Sequence, residues 1–356
     1  MYKVGICGHL AFGEQFNSGQ KDKTISVYSA LCESLGTDKV TFLDTKNWKD
    51  SPVKFAFQCM KLVKNCENIV ILADFNGIRV LPFLFEVFNI FFKRKLHFSF
   101  IGGWLIEFLQ KRPLVEKALK KLDCVYTEVN LMKSELENLG FKNVYYMPNF
   151  RKMRILTSEE LFIPENEPYK LCTFSRIRYE KGIEDAIEAV RYVNRTLGRT
   201  ACTLDIYGLP DDDYKERFSE IQKSFEPFIK YSGFIDGTHQ SADCLRTYFA
   251  LLFPTKYKDE GFPGTFIDAF CAGLPVISAD WKYREEAVID GINGIVYNGD
   301  DQNKLKEILL QAVQNPDKLN QMRANSLSRA HEFTSHSGIA VLLEMLGTPT
   351  QSEEKL

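Results

Sequence analysis

Short apolar runs alternate with longer amphipathic stretches along nearly the whole chain. In the first half the runs fall at 3–7, 40–43, 68–73, 96–101, 124–128 and 144–147, most of them closed by Gly, Asp or Pro. Unbroken apolar runs of this length read as strands buried on both faces, as in a parallel sheet. Between them 25–35, 52–65, 114–119 and 131–139 read as helices, the last closed by Gly140 as a C-cap. A Phe-rich stretch within 80–104 supplies another. Residues 151–168 are charged, carry Pro164 and Pro168 and have no period, which predicts a linker. The alternation then resumes with strands at 169–174, 202–207, 229–231, 250–253, 276–278 and 294–296. Its helices fall at 183–196, 214–224, 241–248, 266–271, 302–314, 316–331 and 336–346. The polar end, 348–356, reads as a frayed tail. The pattern predicts an α/β protein of two parallel-sheet domains, 1–150 and 169–331, with a cleft between them as the ligand site. A helix within 332–347 is expected to pack back on the N-terminal domain.

The first strand runs through Gly8 into a loop, 9–22, that holds Gly13 and Gly19 before Thr24 opens a helix. That is how a doubly wound sheet begins. The loop lacks Gly-x-Gly-x-x-Gly, and Gly19-Gln-Lys-Asp-Lys-Thr24 lacks the Gly-Lys-Ser/Thr of a P-loop, so neither signature is present.

The most informative stretch is 251–280, LLFPTKYKDEGFPGTFIDAFCAGLPVISAD. A strand enters a loop carrying Glu260, the turn Gly261-Phe262-Pro-Gly264 and Thr265, and a helix follows. Amides at a helix start are unpaired and the dipole there favours negative charge, so the geometry suits a phosphorylated ligand. A second strand–helix turn, Phe174-Ser-Arg176-Ile-Arg178-Tyr-Glu-Lys181-Gly182, offers a guanidinium fork and a point charge. The same charges also fit a solvated turn. Two anion-binding elements in one half suggest a diphosphate. Asp268 interrupts an apolar helix, where an unpaired carboxylate is costly; it must reach a cleft, a ligand or a donor, unless it lies on a solvent-exposed face. Glu260, in its Gly-flanked loop, is placed to accept hydrogen bonds from sugar hydroxyls.

Composition narrows the partners. The formal net charge of -2 gives no electrostatic reason to expect nucleic acid. Nine cysteines, none at CxxC spacing, read as reduced core residues of a cytoplasmic protein. The chain opens on a strand instead of a signal peptide. No apolar run approaches the ~20 residues of a membrane span. Two readings of the Phe-rich stretch beside Lys93-Arg94-Lys95 stand side by side: a buried helix followed by a basic turn, and a helix resting on an anionic bilayer. His9, His97, His239, His331 and His336 show no metal-ligand spacing, and HExxH is missing, so no metal is expected. No Gly-x-Ser-x-Gly elbow is present.

These motifs resemble the retaining GT-B glycosyltransferases of family 4, in the group that builds bacterial capsule or exopolysaccharide. The resemblance rests on Phe253-Pro-Thr…Glu260-Gly-Phe-Pro-Gly-Thr-Phe-Ile-Asp268-Ala…Ala272-Gly-Leu-Pro-Val276, on Ser175-Arg176…Glu180-Lys181-Gly182 and on Gly294-Ile-Val-Tyr. In the first half it rests on Gly19-Gln20…Lys23-Thr24, Gly102-Gly103-Trp104-Leu105 and Pro148-Asn149-Phe150. It implies two Rossmann-like domains, with no cofactor beyond the substrate, a nucleotide-sugar donor of UDP type, and a saccharide acceptor, lipid-linked in one reading. Arg176 and Lys181 would hold the diphosphate, and Glu260 would bind the sugar hydroxyls. Gly261, Phe262, Gly264 and Thr265 would pass close to sugar and phosphate. Gly19 and Gln20 would close over the diphosphate, while Gly208, Phe234 and Ile235 would line the nucleotide pocket. The second acid of the family's Glu-x7-Glu pattern is Asp268 here, one methylene shorter, so a ribose contact would be longer or water-mediated. The histidine that some relatives carry has no equivalent around 101–104.

The resemblance implies a metal-independent transferase that retains the anomeric configuration. Two other classes fit the same shape. A nucleotide-sugar hydrolase or epimerase would need an acid/base such as His9 or Asp74, and a non-catalytic module would bind donor and transfer nothing.

Overall fold

The computed structural model describes residues 1–12, 19–235, 241–301 and 303–347. Gly13, His239 and the tail expected at 348–356 lie outside these residues. The chain divides into two compact units, Met1–Arg151 with the segment from Phe333, and Lys152–Glu332.

The first unit is built on β1 (Tyr2–Gly8), β2 (Val40–Asp44), β3 (Cys66–Leu72), β4 (Lys95–Ser99), β5 (Cys124–Thr127) and β6 (Val144–Tyr146). All pair in parallel, in the order β2-β1-β3-β4-β5-β6. Its helices are α1 (Gly19–Leu35), α2 (Pro52–Asn65), α3 (Leu81–Phe92), α4 (Leu105–Gln110), α5 (Pro113–Leu119) and α6 (Asn130–Asn138).

Two differences from the sequence pattern have clear causes. α1 starts at Gly19, ahead of the apolar run, because its polar first turn is partly interior. Lys23 is buried, donates to Pro148 O at 2.9 Å and lies 3.7 Å from the Glu128 carboxylate. Burial lowers its pKa, opposed by the charge of Glu128. α4, hidden in a continuous apolar stretch, is fixed by edge-on packing of Phe108 against Phe75 and Trp104. Deeper in the sheet, buried His97 on β4 joins Asn68 on β3 and Tyr126 on β5 through contacts of 3.3 and 2.9 Å.

The second unit carries β7 (Tyr169–Phe174), β8 (Cys202–Tyr207), β9 (Ile229–Gly233), β10 (Ala250–Phe253), β11 (Val276–Ala279) and β12 (Gly294–Tyr297). The parallel order is β12-β11-β10-β7-β8-β9. Chain direction across the sheet reverses between β7 and β10, and such a switch point leaves a crevice beyond the strands' carboxyl ends. Its helices are α7 (Ile183–Leu197), α8 (Lys215–Gln222), α9 (Ser241–Leu245), α10 (Gly264–Cys271), α11 (Lys304–Gln314), α12 (Asp317–Asn320) and α13 (Arg323–Ala330). One helix was expected over 316–331; two form, and Arg323 at the start of the second turns fully inward. Its guanidinium donates to the carbonyls of Tyr248, Phe249 and Gly273, which a periodicity argument would have left to solvent.

The stretch expected as a linker is fastened to this second unit from residue 152 onward. Leu156 is buried with its N–H on Cys271 O at 3.0 Å, and Asn320 donates to Pro164 O at 3.1 Å. After α13 the chain returns to the first unit as α14 (Ser335–Met345), whose Ile339 and Leu342, with Leu346 just beyond, pack on Val27, Leu31 and Phe150. Gly338 allows the close approach there, since an added Cβ would stand 2.2 Å from the Phe150 ring.

Candidate functional site

The loops after β7 and β10 flank the switch point, and they bring together the residues singled out in both sequence motifs. Lys181 ends a short 3-10 turn and Gly182, at φ 67°, starts α7. A Cβ at Gly182 would sit 1.9 Å from Pro254 O, so only glycine lets the α7 entrance lie against the β10 loop. Lys256 N–H donates to Glu180 O at 2.7 Å and ties the same two loops a second time.

This closeness places the Lys181 ammonium on Glu260 Oε1, with both side chains largely buried. Thr255 Oγ1 lies 3.0 Å from that same oxygen and accepts from Tyr257 N–H at 3.2 Å. The ammonium also lies 5.3 Å from the Phe253 ring centroid and 5.7 Å from that of Tyr257. Low local polarity strengthens such a pair and fixes where both charges sit.

Arg176 is more open, 39% exposed, with its guanidinium 3.5 Å from Asp211. Arg178 shares Asp211 at 3.8 Å and donates to Glu180 at 2.8 Å. That donation holds the Glu180 carboxyl down to about 2. The neighbouring loops continue the wall. Gly208 has φ 138°, and a Cβ there would meet Ser175 O at 1.8 Å, while its N–H donates to Gly233 O at 2.8 Å. Phe234 is exposed and Ile235 half-buried just beyond β9.

α10 points its entrance at the same end of the sheet. Gly261 is pinned through its carbonyl by Trp281 Nε1 at 3.4 Å, Phe262 is buried and Gly264 is half-buried. The Thr265 hydroxyl, in the first turn of α10, is buried and finds no hydrogen-bond partner among the described residues. An unpaired hydroxyl at a helix start is what an oxyanion would complete.

Asp268 is fully buried and accepts from Ser241 Oγ at 2.8 Å. Of the readings left open for it, the structure gives the internal donor and removes the solvent-exposed face; in this conformation it offers no surface to a ligand. Gly19 and Gln20 belong to the first unit, in the first turn of α1, where Gln20 Nε2 is buried with no partner among the described residues. Sequence reasoning passed over Thr255, Asp211 and Trp281 as site-forming residues. Pro254-Thr255 stood in the quoted motif, yet nothing in it says where the hydroxyl points. Among the described residues no group of three or more His, Cys, Asp or Glu is placed to hold a metal ion.

With that geometry in view, comparison with known proteins is informative. Residues 157–329 match the family model described as glycosyl transferases group 1. Among curated proteins, the GtfA subunit of the UDP-N-acetylglucosamine–peptide N-acetylglucosaminyltransferase of Streptococcus gordonii is 29% identical over 151 residues, 41% of this chain and 28% of that protein. An uncharacterised glycosyltransferase of Methanocaldococcus jannaschii is 24% identical over 147 residues, 41% of this chain and 36% of its own. The chain thus matches only about a third of the length of these relatives. Among solved structures, Anabaena HepE in complex with UDP and glucose is similar with a TM-score of 0.73 at 12% identity, covering 98% of this chain and 100% of that one. Sucrose-phosphate synthase from Thermosynechococcus elongatus gives 0.70 at 14% identity, covering 97% and 98%. The fold is GT-B, two Rossmann-like α/β domains. The match to the group 1 model, 157–329, takes in nearly all of the second unit.

Proposed function

We propose that the chain is a retaining glycosyltransferase of family-4 type that moves a hexose or related sugar from a nucleotide-sugar donor to a saccharide hydroxyl. The observation that carries this reading is the switch-point cluster: Lys181 on Glu260 beside Arg176 and the unpaired Thr265 hydroxyl at the start of α10. The UDP and glucose named with HepE favour a UDP-sugar. The motifs at 19–24, 102–105 and 148–150 favour an acceptor in polysaccharide assembly at the cytoplasmic side of the cell, lipid-linked while it is extended.

In this reading Arg176, Lys181 and the α10 entrance hold the diphosphate, while Glu260 turns from Lys181 to the donor sugar's hydroxyls. Gly208, Phe234 and Ile235 line the base and ribose side. The acceptor oxygen attacks C1 on the face the diphosphate leaves. The new O–C1 bond forms as the C1–O bond to phosphate breaks, and the acceptor's proton passes to the departing phosphate oxygen. Two cations and a helix dipole aimed at the growing negative charge supply the main stabilisation, without a metal. Asp268, held by Ser241, orders α10 for this task and reaches the ribose only if that hydrogen bond opens.

Calorimetric titration of UDP, GDP, ADP and their sugar conjugates in EDTA, on the wild-type protein and Arg176→Ala, is the test. Binding of one nucleotide sugar, lost in the variant, supports the donor site and names the base. Binding without transfer to any saccharide, or turnover of donor to free sugar alone, would overturn the transferase reading.

A further inference from the structure

α2 and α3 pack side by side in the first unit, and their outer face is unusually apolar. Val53, Phe57 and Met60 stand exposed at spacings of four and three along α2, so they form one stripe. Val87, Ile90 and Phe91 do the same on α3, with Ile90 70% and Phe91 80% exposed. Arg94 locks the stripes together at one end, donating from Nε to Val63 O at 3.2 Å and from Nη2 to Lys64 O at 3.3 Å.

Charge distinguishes this face from an ordinary surface. α2 carries Lys54, Lys61 and Lys64 and no acid, all three lysines exposed. Lys93 stands exposed just past α3, Lys95 beyond it donates to Met345 O at 3.3 Å, and the one acid of α3, Glu86, faces Lys121 at 3.5 Å. The whole chain has a formal net charge of -2, whereas α2 and residues 93–95 carry basic residues and no acid. Among the described residues no helix is long and apolar enough to cross a membrane.

We propose that the α2–α3 face docks this protein on an anionic lipid bilayer, with Phe57, Ile90 and Phe91 entering the headgroup–acyl boundary and the lysines facing acidic headgroups. Apolar side chains raised from two parallel ridges and flanked by lysines match the pattern of an interfacial surface. Lipid phosphates satisfy the cations, and the acyl boundary takes the rings. A protein partner would have to bring its own band of acids around an apolar centre.

Co-sedimentation of the full chain with vesicles tests this, using phosphatidylcholine alone and phosphatidylcholine mixed with phosphatidylglycerol. Binding is expected on the mixed vesicles, weakened by salt. Lys61→Gln with Lys64→Gln should lower partitioning about 30-fold, since each basic residue near such a surface contributes roughly fivefold. Phe57→Ser with Phe91→Ser should abolish it while the melting temperature holds, both side chains being exposed already. No binding by the wild-type chain, equal binding to both vesicle types, or binding untouched by both variant pairs would overturn the proposal. A dimer seen by sedimentation velocity and lost in the phenylalanine variant, without vesicle binding, would also overturn it and assign the face to a second copy.

Discussion

Thr255 Oγ1 lies 3.0 Å from Glu260 Oε1, the oxygen that also meets the Lys181 ammonium. One small hydroxyl thereby fixes the direction of a buried carboxylate before any ligand arrives. Thr255→Val keeps the shape and deletes the donor. A hydrogen bond to a charged group contributes about 1.5–3 kcal/mol, so kcat/KM for transfer should fall roughly 10- to 100-fold. Thr255→Ser should stay near wild type. Unchanged kinetics in the valine variant would remove Thr255 from the site.

Lys181→Ala should act on both turnover and stability. Turnover should drop by about a hundredfold or more, as for other donors to a developing oxyanion. Unfolding by urea should show a loss of about 3 kcal/mol, because Glu260 is left buried without its cation. Lys181→Met with Glu260→Gln should regain most of the stability and none of the turnover. Arg176→Ala, on a more open side chain, should lose turnover with little change in stability. Near-wild-type turnover in both single variants would refute the diphosphate assignment.

Acid stability should report on the sheet of the first unit. Burial pushes the His97 imidazole down to about 4, and the charge of Lys95 adds to this. The unfolded chain therefore binds a proton near pH 6.5 that the folded chain refuses until about 4. The sign follows: this contribution is complete above about 6.5, shrinks as pH falls and is exhausted near 4, a loss of about 3 kcal/mol. Urea titrations across that window should show the slope, and His97→Gln should flatten it. An equal slope in both proteins would mean that other groups carry the acid sensitivity.

Gly338→Ala places a methyl 2.2 Å from the Phe150 ring. Overpacking of this kind costs about 1–3 kcal/mol, so the melting temperature should fall. Pairing it with Phe150→Leu should recover part of the loss. No change in either variant would mean that α14 holds to α1 without this contact.

Much of the strand–helix alternation was legible because both sheets are parallel and strands such as β10 are buried throughout, which leaves uninterrupted apolar runs. What escaped the pattern was polar and interior. Lys23 and Arg323 look like solvent-facing charges, and only their carbonyl partners, far away in sequence, make burial tolerable. The site divides in the same way. Arg176, Lys181 and Glu260 stood out by residue type beside glycines. Asp211, Trp281 and the Ser241–Asp268 bond depend on which loops and helices meet, and spacing along one segment does not encode that.

The return of α14 to the first unit sets an order of events during translation. The ribosome must deliver all of 152–332 before Ile339, Leu342 and Leu346 emerge to cover Phe150, Val27 and Leu31. At ordinary elongation rates that interval is on the order of ten seconds. For that time the nascent first unit exposes an apolar seam that a chaperone, or a neighbouring nascent chain, can occupy. A separately expressed 152–332 has no such gap, since every strand and helix of its sheet arrives in one continuous segment.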